Sequence, residues 1–181
     1  MEITLASTEK QRQAAYRLRY SAFEDQMVDS AYLDHARREF RDSFDESPTT
    51  PLWVAEANGT GVVGTLRAVY RSQGPYANDA GYNWALVSRL SGVPLETIHA
   101  QTAVLDRGAV HPDFRRQGLL HRLFGEAEKT LLCDGRSLVL AITRQPHVAN
   151  FLRRRGYQHY QSSDFRGQRW DQLYRNYGAQ P

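Results

Sequence analysis

The sequence contains a single cysteine and almost no lysine. One thiol, Cys133, excludes an internal disulfide and leaves no thiol cluster for zinc. We expect this cysteine to be buried near the end of a helix, with a catalytic nucleophile as the alternative. Of the 23 basic residues only Lys10 and Lys129 are lysine. The planar guanidinium of arginine suits phosphate and carboxylate groups, although a GC-rich coding bias is the simpler explanation for the excess of arginine.

Several functional motifs are also missing. The chain has neither the G-x-x-x-x-G-K-[ST] of a P-loop nor a G-x-G-x-x-G, which disfavours nucleoside triphosphates and dinucleotides as ligands. Its six histidines include no H-x-x-x-H pair, so we expect no metal. A net charge of +3 gives little support for a nucleic-acid partner. Without a signal-like N-terminus or an apolar run of membrane-spanning length, we expect a cytoplasmic protein that does not associate with membranes.

The pattern of apolar residues predicts one α/β domain over residues 1–181. A hydrophobic fraction of 41% is typical of a globular chain, and this length provides a sizeable core. We expect a mixed, mostly antiparallel central sheet flanked by helices. The elements read from the N-terminus are a strand, a helix over 9–23, a polar stretch over 24–50 with a loop at 42–51, a hairpin of 52–57 and 61–70, an irregular insertion over 71–100 with a helix at 84–90, a strand at 102–110, a helix reaching Gly135, a strand at 137–143, a helix at 145–156 and two closing strands. Thr8 and Gln11 have the spacing of a capping box, and Asn58-Gly59 predicts the turn of the hairpin. Pro146 is expected in the first turn of the helix at 145–156, and Gly156 past its end.

The stretch "HPDFRRQGLL" (111–120) joins a predicted strand to a predicted helix. A short glycine-containing turn at this place exposes backbone N–H groups at the positive end of the helix, which favours an anion. Arg115 and Arg116 add charge, and Gly118 allows a ligand oxygen to approach closely. The alternative is an ordinary turn with two solvated arginines.

Beyond this local chemistry, "AVHPDFRRQGLLHRLFGEAEKTLL" resembles the coenzyme-binding motif of the GNAT superfamily of N-acyltransferases, with Leu120 where the family has a small residue. The resemblance implies that the backbone amides of 117–120 bind the pyrophosphate of coenzyme A. "ANFLRRRGYQHY" resembles the second landmark of the family, where Asn150 would meet the pantetheine arm and Leu152 replaces a tyrosine, so that the thiolate leaves unaided or is protonated by water. The coenzyme-binding residues expected on this basis are Ala109, Val110, Arg115, Arg116, Gln117, Gly118, Leu119, Leu120 and Asn150.

The N-terminal half narrows the resemblance. "RYSAF", "DSFD", "GTLR" and "DRGAV" are similar in order and spacing to motifs of the branch that contains acyl-homoserine-lactone synthases and N-acyl amino acid synthases. Val104 replaces a glutamate of that branch, and the aromatic residue expected after Phe23 is absent around Val28 and Asp29, which disfavours lactone synthesis from S-adenosylmethionine. The alternative for the charged residues of these motifs is a partly buried ion network that pins the first helix to the sheet: Arg19, Asp42, Asp45 and Arg67, with Arg107 in the last motif.

Acyl transfer to an amine needs a base and an oxyanion site. We predict Asp106 as the catalytic base, acting directly or through water, with an ion pair to a neighbouring arginine as the alternative role. A backbone N–H near 108–110, at a bulge in the strand, would stabilise the oxyanion. Tyr157 and Tyr160 are more typical of packing than of acid catalysis. Five aromatic residues either line an acyl or acceptor channel or form a small lid core: Phe40, Phe44, Tyr76, Tyr82 and Trp84.

The function expected from the resemblance is therefore transfer of an acetyl or longer acyl group to a primary amine of a small molecule or amino acid. The co-substrate would be acetyl-CoA or another acyl-CoA. One alternative takes the acyl group from an acyl carrier protein to make N-acyl amino acids or signals, and another is a non-catalytic module that binds acyl thioesters. The expected partner is a small-molecule amine, with carrier protein and homodimer left open.

Overall fold

The computed structural model describes residues 1–26, 31–70, 82–165 and 168–178. Within these residues the chain has an α/β fold built on a mixed, mostly antiparallel sheet of seven strands, in the order β1-β4-β5-β6-β7-β9-β8. The strands are β1 (Glu2–Leu5), β2 (Leu33–Asp34), β3 (Glu39–Phe40), β4 (Leu52–Ala57), β5 (Gly61–Tyr70), β6 (Thr102–Val110), β7 (Leu138–Thr143), β8 (Gln158–Phe165) and β9 (Gln168–Asn176). The helices are α1 (Glu9–Phe23), α2 (Ser43–Glu46), α3 (Trp84–Ser91), α4 (Ile98–Gln101), α5 (Leu119–Cys133) and α6 (Pro146–Arg154).

The chain divides into two compact units. The first comprises Met1–Ala68 and Arg107–Lys129. In it β1 pairs antiparallel with β4, and β4 pairs antiparallel with β5. Helix α1 packs on this sheet through a cluster of buried residues: Ala6, Ala15, Tyr16, Leu52 and Val54.

Close packing in the first unit explains why position 64 is occupied by glycine. A Cβ atom on Gly64 would stand 3.0 Å from side-chain carbons of both Leu119 and Leu123. That distance is shorter than ordinary carbon–carbon contact, so only glycine lets the first turns of α5 lie this close to β5. The start of α5, and the turn before it, are thereby held against the sheet.

The second unit comprises Val69–Asp106 and Thr130–Pro181. Here β6 pairs with β7 in parallel, with Thr102 opposite Leu138, which confirms the predicted strand–helix–strand crossover. Strands β7 and β9 pair antiparallel, as do β8 and β9. Buried apolar residues on β7 pack as a continuous run, as expected for a strand inside a sheet.

Local sequence signals account for several boundaries. Thr8 and Gln11 form the predicted capping box at the start of α1. The β4–β5 hairpin turns at Asn58-Gly59, with Gly59 at φ 78°. Pro146 occupies the first turn of α6, and Gly156 follows the helix at φ 85°.

Two expectations for smaller elements were wrong, and one hairpin was not predicted. Residues 42–51 do not form a plain loop, because Asp42 caps the short helix α2. The polar stretch before it contains the β2–β3 hairpin. Cys133 is exposed, not buried: Leu131 points into the core, and a residue two positions further along a helix faces a different side. The residues Val28, Asp29 and Tyr76 lie outside the described part of the chain.

Among the described residues, every helix is too short or too polar to cross a bilayer.

Candidate functional site

The first candidate place is a buried ion cluster in the first unit, built from residues of four elements. Arg19 comes from α1, Asp42 and Asp45 from the start of α2, Arg67 from β5 and Arg107 from β6. Four of the five side chains are almost completely buried, and that of Arg107 is 13% exposed. From the sequence, an ion network of Arg19, Asp42, Asp45 and Arg67 was the alternative interpretation, and the structure brings these four residues together with Arg107.

Two aspartates organise the cluster. Arg67 contacts Asp42 with both terminal nitrogens, its Nη2 lying 3.0 Å from Oδ2, and its Nη1 also lies 2.8 Å from Asp45 Oδ2. Arg19 Nη1 donates to Asp45 Oδ1 at 2.8 Å, and Arg107 Nη2 donates to Asp42 Oδ2 at 2.9 Å. These contacts are the ion network considered as the alternative from the sequence, extended by Arg107.

The electrostatics of the cluster keep both carboxylates charged. Burial by itself raises the pKa of Asp42, but the hydrogen bonds and positive charges of Arg67 and Arg107 outweigh it and lower that pKa to about 2. Burial likewise opposes ionisation of Asp45, and the charges of Arg19 and Arg67 lower its pKa below the ordinary value. The cluster therefore contains two carboxylates that accept hydrogen bonds and do not serve as proton carriers near neutral pH.

Arg107 has an unusual backbone. Its φ is 54°, in the left-handed region that a non-glycine residue in a strand rarely adopts. Its guanidinium lies 4.1 Å from the ring centroid of Phe40 and 5.2 Å from that of Tyr32, within cation–π range. The ion pair and the two rings hold the side chain of a strained residue, and such strain is commonly found at functional sites.

The second candidate place is the turn between β6 and α5, also in the first unit. Residues 112–114 form a single 3₁₀ turn, after which Arg116 and Gly118 both take positive φ values, 62° and 72°. Helix geometry leaves the first N–H groups of α5 without carbonyl partners in the helix. A Cβ atom on Gly118 would meet no atom within 4 Å, so the space in front of this glycine is open.

Two side chains of the turn hydrogen-bond to backbone carbonyl groups beside it. Arg115 Nε donates to the Val110 carbonyl at 3.2 Å, and Gln117 Nε2 donates to the Asp113 carbonyl at 2.8 Å. Leu119 is buried. The predicted coenzyme-binding residues in this unit lie at the end of β6, in the turn and at the start of α5: Ala109, Val110, Arg115, Arg116, Gln117, Gly118, Leu119 and Leu120.

The remaining predicted residues belong to the second unit. Asp106 is half-buried on β6, immediately before Arg107 in the chain. Asn150 is exposed on α6, where its Oδ1 accepts a hydrogen bond from Arg153 Nη1 at 3.0 Å. Leu152 is a buried core residue of the same helix.

The aromatic side chains considered as candidates are used in packing. The Tyr160 hydroxyl donates to Gln172 Oε1, and burial raises its pKa, which suits a structural role better than acid catalysis. Phe40 packs edge-on against Phe23 in the first unit. In the second unit Tyr82 stacks on Trp84 at 5.3 Å between ring centroids.

The β2–β3 hairpin is the functional candidate that the sequence did not predict. It supplies Tyr32 and Phe40 to the Arg107 side chain and lies against α1. Its strands are only two residues long, so no periodic pattern could have revealed them. The only local signal was Asp34, whose Oδ1 accepts from the Arg37 N–H as in many tight turns.

The structure contains a strand, a glycine turn and a long helix in this order, beside a mixed sheet. This arrangement is the N-acyltransferase fold that the resemblance led us to expect. The sequence profile of the acetyltransferase (GNAT) family matches residues 12–157, most of the chain, and the chain belongs to that family. No curated protein is similar enough in sequence to count as a match.

Solved structures share the fold at low identity. The CoA-dependent acyl-homoserine lactone synthase BjaI, solved with SAM and isopentyl-CoA, is 18% identical with a TM-score of 0.69, covering 93% of this chain and 76% of its own. The AHL synthase LasI is 14% identical with a TM-score of 0.68, covering 98% and 91%. The ribosomal-protein-alanine N-acetyltransferase of Brucella melitensis is 14% identical with a TM-score of 0.59, covering 97% and 99%.

Proposed function

We propose that the protein transfers an acyl group, acetyl or longer, from a coenzyme A thioester to a primary amine of a small molecule or amino acid. The observation that carries this proposal is the turn before α5, where Arg116 and Gly118 adopt left-handed conformations directly before a fifteen-residue helix. Such a turn presents consecutive amides to an anion at the positive end of the helix. Within the family to which the chain belongs, the fitting anion is the pyrophosphate of coenzyme A.

The geometry around Leu120 supports this fit despite the larger side chain. Leu120 Cδ1 lies 3.6 Å from the position that a Cβ atom of Gly108 would occupy, so the side chain is directed toward β6. Its backbone N–H belongs to the first turn of α5, whose amides the helix itself does not use. The replacement of a small residue by Leu120 therefore changes the packing against β6 more than it changes the backbone amides that would bind phosphate.

The chemistry of the transfer assigns roles to residues of the second unit. An α-amine has a pKa of roughly 7.7–8 and a lysine amine about 10.4, so the acceptor must lose a proton before or during attack. Asp106, acting directly or through water, takes that proton. Asn150 meets the pantetheine arm. The leaving thiolate, with a pKa of about 8.5, departs without a side-chain acid because Leu152 stands at the tyrosine position of the family.

Coenzyme A should stabilise the folded protein measurably. At about 100 times its dissociation constant a ligand adds roughly 2.7 kcal/mol to the free energy of unfolding. A rise in Tm with coenzyme A, and a smaller rise for a Gly118→Ala variant, supports the site. No shift at millimolar coenzyme A argues against the pyrophosphate site and favours a carrier-protein donor.

One observation favours an acyl carrier protein as the alternative donor. Arg115, Arg116, Arg153 and Arg154 are all exposed, and exposed arginines attract the acidic surface of a carrier protein. Charge reversal at these positions should then weaken donor use, and rising salt should weaken it steeply. With free acyl-CoA as donor the dependence on salt is smaller.

A non-catalytic role is favoured by two buried apolar side chains. Val104 and Leu152 stand where related motifs have a glutamate and a tyrosine, and both are packed in the core. An acyl-thioester-binding module predicts that the protein binds coenzyme A yet releases no thiol with any amine.

A further inference from the structure

A basic cavity in the first unit is separate from both candidate places. It is an open cavity of about 510 Å³ between helix α1 and the β2–β3 hairpin. Three arginines and one glutamate are its charged lining residues, so positive side chains exceed negative ones by two. The complete lining is Gln13, Arg17, Ala36, Arg37, Glu39 and Arg41, none of which belongs to the ion cluster or to the turn before α5.

The hairpin wall of this cavity is fixed by its own contacts. Asp34 Oδ1 accepts from the Arg37 N–H at 2.9 Å, and the Arg41 N–H donates to the Tyr32 carbonyl at 3.1 Å. The Tyr20 hydroxyl of α1 lies 2.9 Å from His35 Nδ1 in the hairpin turn. The backbone that carries the arginines is therefore tied both across the hairpin and to the helix.

Glu39 is the unusual member of the lining. Successive side chains of a strand point to opposite faces, so Phe40 packs against Phe23 while Glu39 faces the cavity. Its side chain is 5% exposed, and Arg17 Nε and Arg41 Nε each lie 3.8 Å from its carboxylate, beyond hydrogen-bond distance. A buried carboxylate is costly without close donors, so these two ion pairs compensate it poorly.

The need to neutralise the Glu39 carboxylate does not explain why three arginines line the cavity. The side chains of Arg17 and Arg37 are 61% and 65% exposed, so both guanidiniums reach solvent at the cavity. Arg37 also lies 3.6 Å from the carboxylate of Asp34, and an exposed ion pair of this kind contributes little to the stability of the fold. Planar guanidinium groups around a polar cavity are the arrangement that binds carboxylate and phosphate groups.

We propose that this cavity binds a small ligand carrying both an oxyanion, which is a carboxylate or a phosphate, and a hydrogen-bond donor. The oxyanion is held by Arg17, Arg37 and Arg41, and the donor meets the carboxylate oxygens of Glu39, which accept hydrogen bonds. The volume is in the range of roughly 300–1,000 Å³ typical of small-molecule sites.

The test follows the arginine Nε–Hε resonances by NMR, assigned by single Arg→Lys variants, during titration with three probes. Inorganic phosphate and succinate separate the two oxyanions. β-Alanine replaces one carboxylate of succinate by an ammonium and so reports on Glu39. We expect saturable shifts at Arg17, Arg37 and Arg41 with β-alanine and with at least one of the two other probes. Absence of saturable shifts at these residues with all three probes overturns the proposal.

Substitutions then locate the binding. Arg17→Gln together with Arg41→Gln should weaken binding about tenfold or more, since a hydrogen bond to a charged group contributes roughly 1.5–3 kcal/mol. Arg89→Gln, an exposed arginine on α3, is the control and should change nothing. Equal losses in the double variant and the control contradict the site.

Glu39→Gln distinguishes ligand recognition from a structural role. The change should strengthen succinate binding, because it removes a like charge, and weaken β-alanine binding, because it removes the partner of the ammonium. If Glu39→Gln changes the affinities for succinate and β-alanine in the same direction, the proposed role of Glu39 is contradicted. A failure here leaves the proposed acyl transfer untouched, since phosphate at the turn before α5 would move the resonances of Arg115 and Arg116 instead.

Discussion

Arg107 Nη2 and Asp42 Oδ2 lie 2.9 Å apart, and this contact connects the strained residue of β6 to the cap of α2. Asp42 accepts from the Phe44 N–H through its other oxygen, at 3.1 Å, while Arg67 binds both oxygens. One carboxylate thereby joins α2, β5 and β6. Its removal should affect the stability of the first unit more than any surface charge does.

We predict that Asp42→Asn lowers the free energy of unfolding by about 3–5 kcal/mol, because it removes the carboxylate that pairs with Arg107 and one of the two carboxylates that pair with the buried Arg67. Denaturant unfolding measures this loss. Asp113→Asn is the control: its side chain is 82% exposed, and its effect should stay within about 0.5 kcal/mol. Similar values for the two variants would show that the cluster does not stabilise the fold.

Stability should also fall in acid for an identifiable reason. The pKa of Asp42 is lowered from 3.8 to about 2 in the folded protein, so its contribution is complete above pH 3.8 and is lost as the pH falls toward 2. The lowered pKa of Asp45 acts in the same direction. Denaturant midpoints measured across this window should drop less steeply for Asp42→Asn than for the unmodified protein. An unchanged acid slope would be inconsistent with the cluster as its cause.

Gly118 can be tested against a glycine of matched conformation. Gly118 and Gly92 have φ values of 72° and 73°, and a Cβ atom on either would meet nothing within 4 Å. Alanine at each should cost about 1–2 kcal/mol of stability, the penalty for a left-handed L-residue. Only Gly118→Ala should also weaken coenzyme A binding in calorimetric titration. Equal affinities for the two variants would remove the turn from the binding site.

Asp106→Asn tests the base. Loss of a general base slows the chemical step by about 10²–10⁴-fold, so kcat should fall while the KM for the thioester stays near its original value. Asp164→Asn, an exposed carboxylate on β8, is the control. Turnover that survives in Asp106→Asn would exclude the aspartate as base.

Features set by a few neighbouring residues were predicted correctly. In each case the local conformation depends on the residue types at the positions themselves. The examples are the Thr8–Gln11 capping box, the Asn58-Gly59 turn, and Pro146 and Gly156 at the two ends of α6. The parallel crossover from β6 to β7 followed from two apolar runs around a periodic helix. Four of the five charged residues of the cluster were considered together as an ion network, and all five lie in motifs whose order and spacing resemble a known branch of the family.

Features set by tertiary packing were not predictable. The conformation of Arg107 depends on an aspartate 65 positions earlier and on two aromatic rings of a hairpin whose strands have two residues each. The cavity beside Glu39 depends on how that hairpin lies against α1. Neither periodicity nor local motif chemistry encodes such contacts. The error at Cys133 has a different origin, because its exposure follows from its helical spacing to the buried Leu131.

The measurement that tests the central claim most directly is thiol release from acetyl-CoA and longer acyl-CoAs, with a panel of primary amines and amino acids. The proposed function predicts free coenzyme A at a rate that depends on the amine and falls in Gly118→Ala but not in Gly92→Ala. Binding of coenzyme A without amine-dependent thiol release across the panel would contradict acyl transfer and identify the protein as a thioester-binding module.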